Sequence, residues 1–484
     1  MHNHKAEIRR PHPVVALIPV VFLIAMLSFV IFVFRADSLN GGSQIALIMG
    51  TSICIAISML FYKVKWKVFE SQLSKTIGDI SITLIILLIV GMLAGSWMIS
   101  GVVPTLIYYG VQILSPRFFL VCACLICALV SVLSGSSWTT IATIGVALMG
   151  IGQALSVSDA WTAGAIISGS YFGDKLSPLS DTSILASSSV RVDIFTHIRY
   201  MLYTTIPSFV IALTIFMIAG LINGGDAEIN VRSFMDGLSS KFNISLWTLI
   251  VPIATGIMIA RRVPSIITLF LSSLLAGIVA LLFQPDILLE IADKGSDVSV
   301  SLAEGMAKCF FGPTSVDLGV PSLNDLVSTK GMAGMLNTIW LIICAMFFGS
   351  AMVASRMVES ITRVIIRLVT GRTGLVGATA TTGILMNILT GDQFISIVLT
   401  ADIYRNAYSK QGLEPKLLSR TTEDAATVTS VLVPWNSCGM TQATVLGVST
   451  MTYLPYCFFN ILSPLMSVLI AATGWKIKQV AVKH

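Results

Sequence analysis

Gly173–Ser183 reads G-D-K-L-S-P-L-S-D-T-S, between the apolar flanks Ala160–Tyr171 and Ile184–Ala186. Three charged side chains, a proline and several hydroxyls therefore interrupt a run that would otherwise suit a lipid bilayer. A charged side chain at bilayer depth costs about 2.5–3.5 kcal/mol on insertion scales, so such residues mark function before they mark structure. Proline lacks the amide proton and drives its ring against the carbonyl four residues back. The stretch thus predicts a broken helix around a polar site, and the chemistry of its side chains suits an ion.

The rest of the chain supports that setting. Of its 484 residues, 55% are hydrophobic and 11% charged, against about 25% charged in soluble domains, and mean hydropathy is +0.88. Val14–Phe34, Ser43–Tyr62, Ile77–Ser100, Met201–Ile222, Pro264–Phe283, Gly334–Ser355 and Tyr453–Trp475 are the clearest apolar runs, and a spanning helix needs roughly 20 residues. The period-2 alternation of a barrel is absent. The chain reads as an all-α polytopic membrane protein of about 10–12 segments. Basic residues cluster at the ends of spans: Lys5, Arg9 and Arg10, then Lys63, Lys65, Lys67 and Lys75, then Arg261 and Arg262, then Lys476, Lys478 and Lys483. The positive-inside rule places both termini in the cytoplasm. The net charge of +6 is explained by this clustering and does not point to nucleic acid. The first run is too long for a signal peptide and reads as a retained span. Eight cysteines lie mostly within apolar runs; Cys122, Cys124 and Cys127 read as packing residues rather than metal ligands.

A second polar interruption follows at a fixed distance. Ser134–Trp138 (S-G-S-S-W) has a counterpart in Thr390–Phe394 (T-G-D-Q-F), and Gly391 lies 256 residues after Gly135. Pro178 has a counterpart in Pro434 of V-P-W-N-S-C, again 256 residues on. Ser43–Tyr62 ends on a lysine-rich loop, whereas Pro264–Phe283 begins after Arg261–Arg262 and ends on a connection carrying Asp286, Glu290, Asp293, Asp297 and Glu304. Opposed charge asymmetry predicts two inverted repeats with discontinuous or re-entrant helices, a common transporter design. The divisions read as residues 1–42 (N-terminal segment and first span), 43–222 (first repeat), 223–263 (linker and connecting span) and 264–484 (second repeat). Within the linker, about Asn223–Ser245 suits a short surface helix, and Asp286–Lys330 an external connection with an amphipathic helix.

The breaks supply hard oxygen ligands. Helix disruption at Pro178 and Pro434 frees the carbonyls of Asp174 and Ser430, and carbonyls with carboxylates and hydroxyls suit a hard cation. Ser177, Ser180, Asp181, Thr182 and Ser183 surround the first break; Asn436, Ser437 and Thr441 follow the second. Asp174 and Asp181 lead the candidate ion or proton ligands; Asp174 could instead cap a half-helix or pair with Lys175, and Asp181 could cap the helix starting at Thr182. Lys175 reads first as a counter-charge, with an anion ligand and an interfacial snorkeller as the other roles. Ser137 belongs to a hydroxyl-rich turn that can line an ion site or satisfy its own helix. Asp392 is equally suited to capping and to ion binding. Glu423 and Asp424 read as capping residues near the membrane interface. His2, His4, His12, His197 and His484 all fall outside the predicted spans, leaving carboxylates to carry protons. No H-E-x-x-H, Walker A or intramembrane serine–histidine pairing occurs, so an enzyme is not expected and transport would be driven by an ion gradient.

The first motif, with Ile184–Ala186 (I-L-A), resembles the signature stretch of the NhaC family of sodium/proton antiporters. Ser134–Gly145 (S-G-S-S-W-T-T-I-A-T-I-G) and Pro434–Gly439 (P-W-N-S-C-G) resemble that family too, and the order of motifs and density of spans extend the likeness over most of the chain. The resemblance implies Na+ export in exchange for protons across the inner (plasma) membrane, with no cofactor beyond those ions. It points to Asp174, Asp181, Ser137 and Asn436 as motif positions. The wider ion-transporter superfamily has inverted repeats, paired re-entrant hairpins and often dimers with an elevator motion, which makes a homodimer an expectation. Relatives include malate/lactate exchangers and sodium-coupled amino-acid carriers, so a small organic acid or amino acid is the alternative cargo. The expected ion-binding set is Asp174, Asp181, Ser137, Thr182, Asp392, Asn436 and Ser437, at breaks set by Gly135, Pro178, Gly391 and Pro434.

Overall fold

The computed structural model describes residues 10–34, 41–223, 228–292, 297–319, 324, 326–367 and 371–477. Lys5, Arg9, Lys478, Lys483, Asp293, His2, His4 and His484 lie outside the described residues. Among the described residues eight helices are long and apolar enough to cross a membrane, or up to ten if each of two bent pairs is one span. No strand forms among them; one bridge pairs Thr314 with Thr329.

The apolar runs became Pro13–Phe34, Gly42–Tyr62, Trp66–Ile99, Ile194–Asn223, Ser265–Phe283 and Leu336–Ala354. Two spans are additional to the seven runs read from sequence: Pro116–Ser134 and Gly371–Thr390. Tyr453–Trp475 is instead a broken element, with Thr450–Tyr456 and Phe458–Thr473 meeting at 56°. The linker carries the helix Glu228–Lys241, and the Asp286–Lys330 connection carries Val298–Phe311.

One large buried cluster joins Pro116–Ser134, Asp159–Leu176, Ser265–Phe283 and the far half of Trp66–Ile99. A second gathers Pro13–Phe34, Gly42–Tyr62 and Leu336–Ala354, and Trp138 packs against both. Small residues set the closest approach. Gly169 and Gly173, four residues apart on Asp159–Leu176, press against the Cys124 and Ala128 carbonyls of Pro116–Ser134. Such small-xxx-small faces let membrane helices touch backbone to backbone. The consequence is positional: Asp174, next to Gly173, is held against the turn that ends Pro116–Ser134. Gly173→Ala places a methyl against the Ala128 carbonyl and the Ser131 side chain. It is expected to lower thermal stability in detergent by about 1–3 kcal/mol, the usual overpacking cost, and to weaken exchange in proportion to the folded fraction left.

Candidate functional site

Pro116–Ser134 stops because Gly135 adopts a left-handed φ of 67°. Such a conformation suits glycine, and a side chain there would also strike Leu179. Ser136 then caps the next helix, its Oγ accepting from the Thr139 amide at 3.2 Å. The first turn of that helix donates to Asp174: the Ser137 amide at 3.0 Å and the Ser137 hydroxyl at 2.7 Å both reach Oδ2. Asp174 and Ser137 are buried. The structure thus brings together one aspartate of the opening motif and the glycine turn.

The second half builds a related junction. Gly391 has φ 68°, and Asp392 caps Gln393–Lys410 by accepting from the Ile395 amide at 2.9 Å. The Ser437 amide donates to the Gly391 carbonyl at 2.7 Å, and the Ser437 hydroxyl to Asp392 Oδ2 at 3.3 Å. Asn436 caps Ser437–Leu446, accepting from the Cys438 amide at 3.0 Å, and its own amide donates to the Asn387 carbonyl at 3.3 Å. Asp392, Asn436 and Ser437 are all buried. Asp392 therefore caps a helix and faces the break at once.

Individual contacts repeat at the sequence offset of 256. Ser131 Oγ donates to the Ser170 carbonyl, and Asn387 Nδ2 to the Ala426 carbonyl. Ser137 donates to Asp174, and Ser430 pairs with Gln393, the two positions 256 residues later. Gly135 abuts Leu179 and Gly391 abuts Trp435.

Backbone hydrogen bonds correct the reading of the breaks. The Asp174 carbonyl accepts from the Ser177 amide at 3.0 Å and the Ser430 carbonyl from the Val433 amide at 3.3 Å. Proline removed the donor four residues on, and the chain tightened so that the residue three on took its place, as helix ends commonly do. Neither carbonyl is left without a partner.

Other expected residues lie apart. Asp181 is exposed at the start of Asp181–Ser189, whose cap is Ser180, and no hydrogen bond among the described residues joins it to Asp174. Thr182 is directed elsewhere: its hydroxyl donates to Glu423 Oε1 at 3.1 Å. Pro178 is exposed, while Pro434 and Trp435 border a cavity of about 1560 Å³ that also touches Gln153, Thr338 and Thr444.

Glu423 and Asp424 are not interfacial caps. Both are fully buried in the π-helical turn Glu423–Thr427. Lys175 forms a fully buried ion pair with Asp424 and donates to Ser463 Oγ at 3.1 Å. Asp424 also accepts from Ser467 at 2.6 Å and Thr204 at 3.2 Å. Buried charges are costly unless paired and hydrogen-bonded, and this pair meets both conditions. Lys175 is thus the counter-charge of Asp424, 249 residues away, rather than of its neighbour Asp174. His197 also departs from expectation. Its helix begins at Ile194, so the ring is buried inside a span, with Nδ1 2.8 Å from Ser419 Oγ, and carboxylates are not the sole titratable groups there. No comparable signal marked Arg420, Glu423 and Asp424, because the stretch Glu414–Thr427 is largely polar and reads from sequence as a surface segment.

Comparison with known proteins gives a consistent set. The model of the Na+/H+ antiporter family matches residues 7–193 and 169–475. The Na+/H+ antiporter NhaC of Alkalihalophilus pseudofirmus is 36% identical over 87% of this chain and 89% of its own. A malate-2H+/Na+-lactate antiporter of Bacillus subtilis is 33% identical over 96% of this chain and 95% of its own. The arginine/ornithine antiporter ArcD of Halobacterium salinarum is 33% identical over 97% and 93%.

Proposed function

Because this chain belongs to the Na+/H+ antiporter family, we propose that it exchanges Na+ for H+ across the plasma membrane, both termini facing the cytoplasm. One observation carries the chemistry. Asp174 and Asp392 are buried carboxylates, the described donors to each are neutral, and no described ion pair reaches either. A buried carboxylate in that condition needs a proton or a bound cation to cancel its charge. Either ion serves, and they exclude one another on the same oxygens, which is the condition for exchange.

Asp174 with Ser137 forms one ligand set, and Asp392 with Ser437 and Asn436 the other. Hydroxyl and carboxylate oxygens are suitable partners for a hard cation. The segments 43–222 and 264–484 would act as inverted repeats, each contributing one turn and one break. Asp181, exposed at the first break, would receive the ion from water and pass it inward, with Thr182 linking that break to Glu423. The cavity bordering Pro434 and Trp435 would give the ion its approach to the second break.

Purified protein in liposomes carrying an internal pH dye tests this. A Na+ jump alone should move protons, saturably and without organic solute. A pH change that appears only with malate, lactate, arginine or ornithine would replace this reading with a coupled organic-solute carrier, the activity named for two relatives.

A further inference from the structure

Arg420 is fully buried, and none of its three guanidinium nitrogens has a hydrogen-bond partner among the described residues. Its charge is not idle, however. The guanidinium lies over the Tyr200 ring, 4.8 Å from the centroid, and Nε stands 3.9 Å from Asp424 Oδ2. That separation is about 1 Å beyond a charge-assisted hydrogen bond. Asp424 therefore faces two buried cations and is hydrogen-bonded to only one, Lys175. A buried guanidinium without hydrogen bonds is an expensive arrangement, and the nearest relief is the carboxylate already beside it.

The surrounding backbone permits the exchange. Asp424 sits in a π-helical turn, an irregularity that carries one extra residue and often marks functional sites. Lys175 occupies the last turn of Asp159–Leu176, adjacent to Asp174 and just before the break. A change of partner at Asp424 would thus be felt one residue from the ion ligand.

We propose that Arg420 is the alternate partner of Asp424. In the second arrangement the carboxylate turns from Lys175 to Arg420, releasing the end of Asp159–Leu176 to move with the ion held at Asp174. This rests on the reading of Asp174 as an ion ligand. Arg420 is here a positioning residue, acting through Asp424 and Lys175 rather than by touching the ion.

The test separates turnover from affinity. Radioactive Na+ binding and Na+-driven proton flux are measured on Arg420→Gln, Arg420→Lys and Asp174→Asn. Arg420→Gln should bind Na+ within about twofold of the parent and exchange at least about tenfold more slowly; a rate loss without an affinity loss is lost turnover. Arg420→Lys, which keeps the charge but not the planar fork, should fall between the two in rate with unchanged Na+ affinity. Exchange at the parental rate in either variant, or Na+ affinity falling in step with rate, overturns the proposal. If Arg420→Gln does not fold, Arg420→Lys alone decides by the same criteria. Undiminished Na+ binding by Asp174→Asn would instead sink the ion-site reading on which the proposal stands.

Discussion

Asp174→Asn is expected to reduce Na+-driven proton movement by a factor on the order of 100, a ligating carboxylate being lost where even an outer-shell partner costs about 10–100-fold at metal sites, in a protein that still folds. The expectation of folding follows from the geometry. Asparagine fills the same volume, and its carbonyl oxygen can accept from the Ser137 amide and hydroxyl as Oδ2 does now. What it cannot do is alternate between a proton and a cation. Ser137→Ala should be milder, because the backbone donor remains when the hydroxyl is gone. Proton flux in liposomes, normalised to monodisperse protein on gel filtration, checks both. Parental exchange by Asp174→Asn would remove Asp174 from the chemistry.

The second large effect concerns stability. Asp424→Asn leaves Lys175 and Arg420 buried without their carboxylate, and breaking a buried pair in this way typically costs about 3–5 kcal/mol. Lys175→Met should cost distinctly less. It removes one of two cations, and Arg420 stands 3.9 Å from the orphaned carboxylate. Thermal unfolding in detergent should rank parent, Lys175→Met and Asp424→Asn in descending order. The double variant Asp424→Asn with Lys175→Met should recover part of the loss, since exchanging a buried ion pair for neutral groups is often tolerated. Equal losses for both single variants would mean that Arg420 does not compensate.

Much of this organisation was legible in the sequence, for a physical reason. Local departures from bilayer chemistry are costly, so charge and proline inside apolar runs had to mean something, and Gly173–Ser183 did. The spacing of 256 residues between Gly135 and Gly391, and between Pro178 and Pro434, reappeared in contacts such as Ser131 with Ser170 and Asn387 with Ala426. What the sequence hid was pairing at long range. Lys175 and Asp424 meet from positions 249 apart, and no periodicity encodes which of several acids a lysine will meet. Helix starts were hidden too. Hydropathy marks the apolar middle of a span, whereas the polar first two turns from Ile194, which take in Thr196, His197 and Arg199, are set by tertiary packing. The break carbonyls were misread because a missing amide four residues on does not prevent a tighter turn from supplying one three residues on.

Exchange by this scheme requires that Na+ and H+ compete for the same buried carboxylates. This competition is tested most directly by adding Na+ to purified protein in weakly buffered detergent solution and recording pH. Prompt, saturable proton release is expected in the parent, and its sharp reduction in Asp174→Asn. Saturable Na+ binding by the parent with no proton release would contradict it.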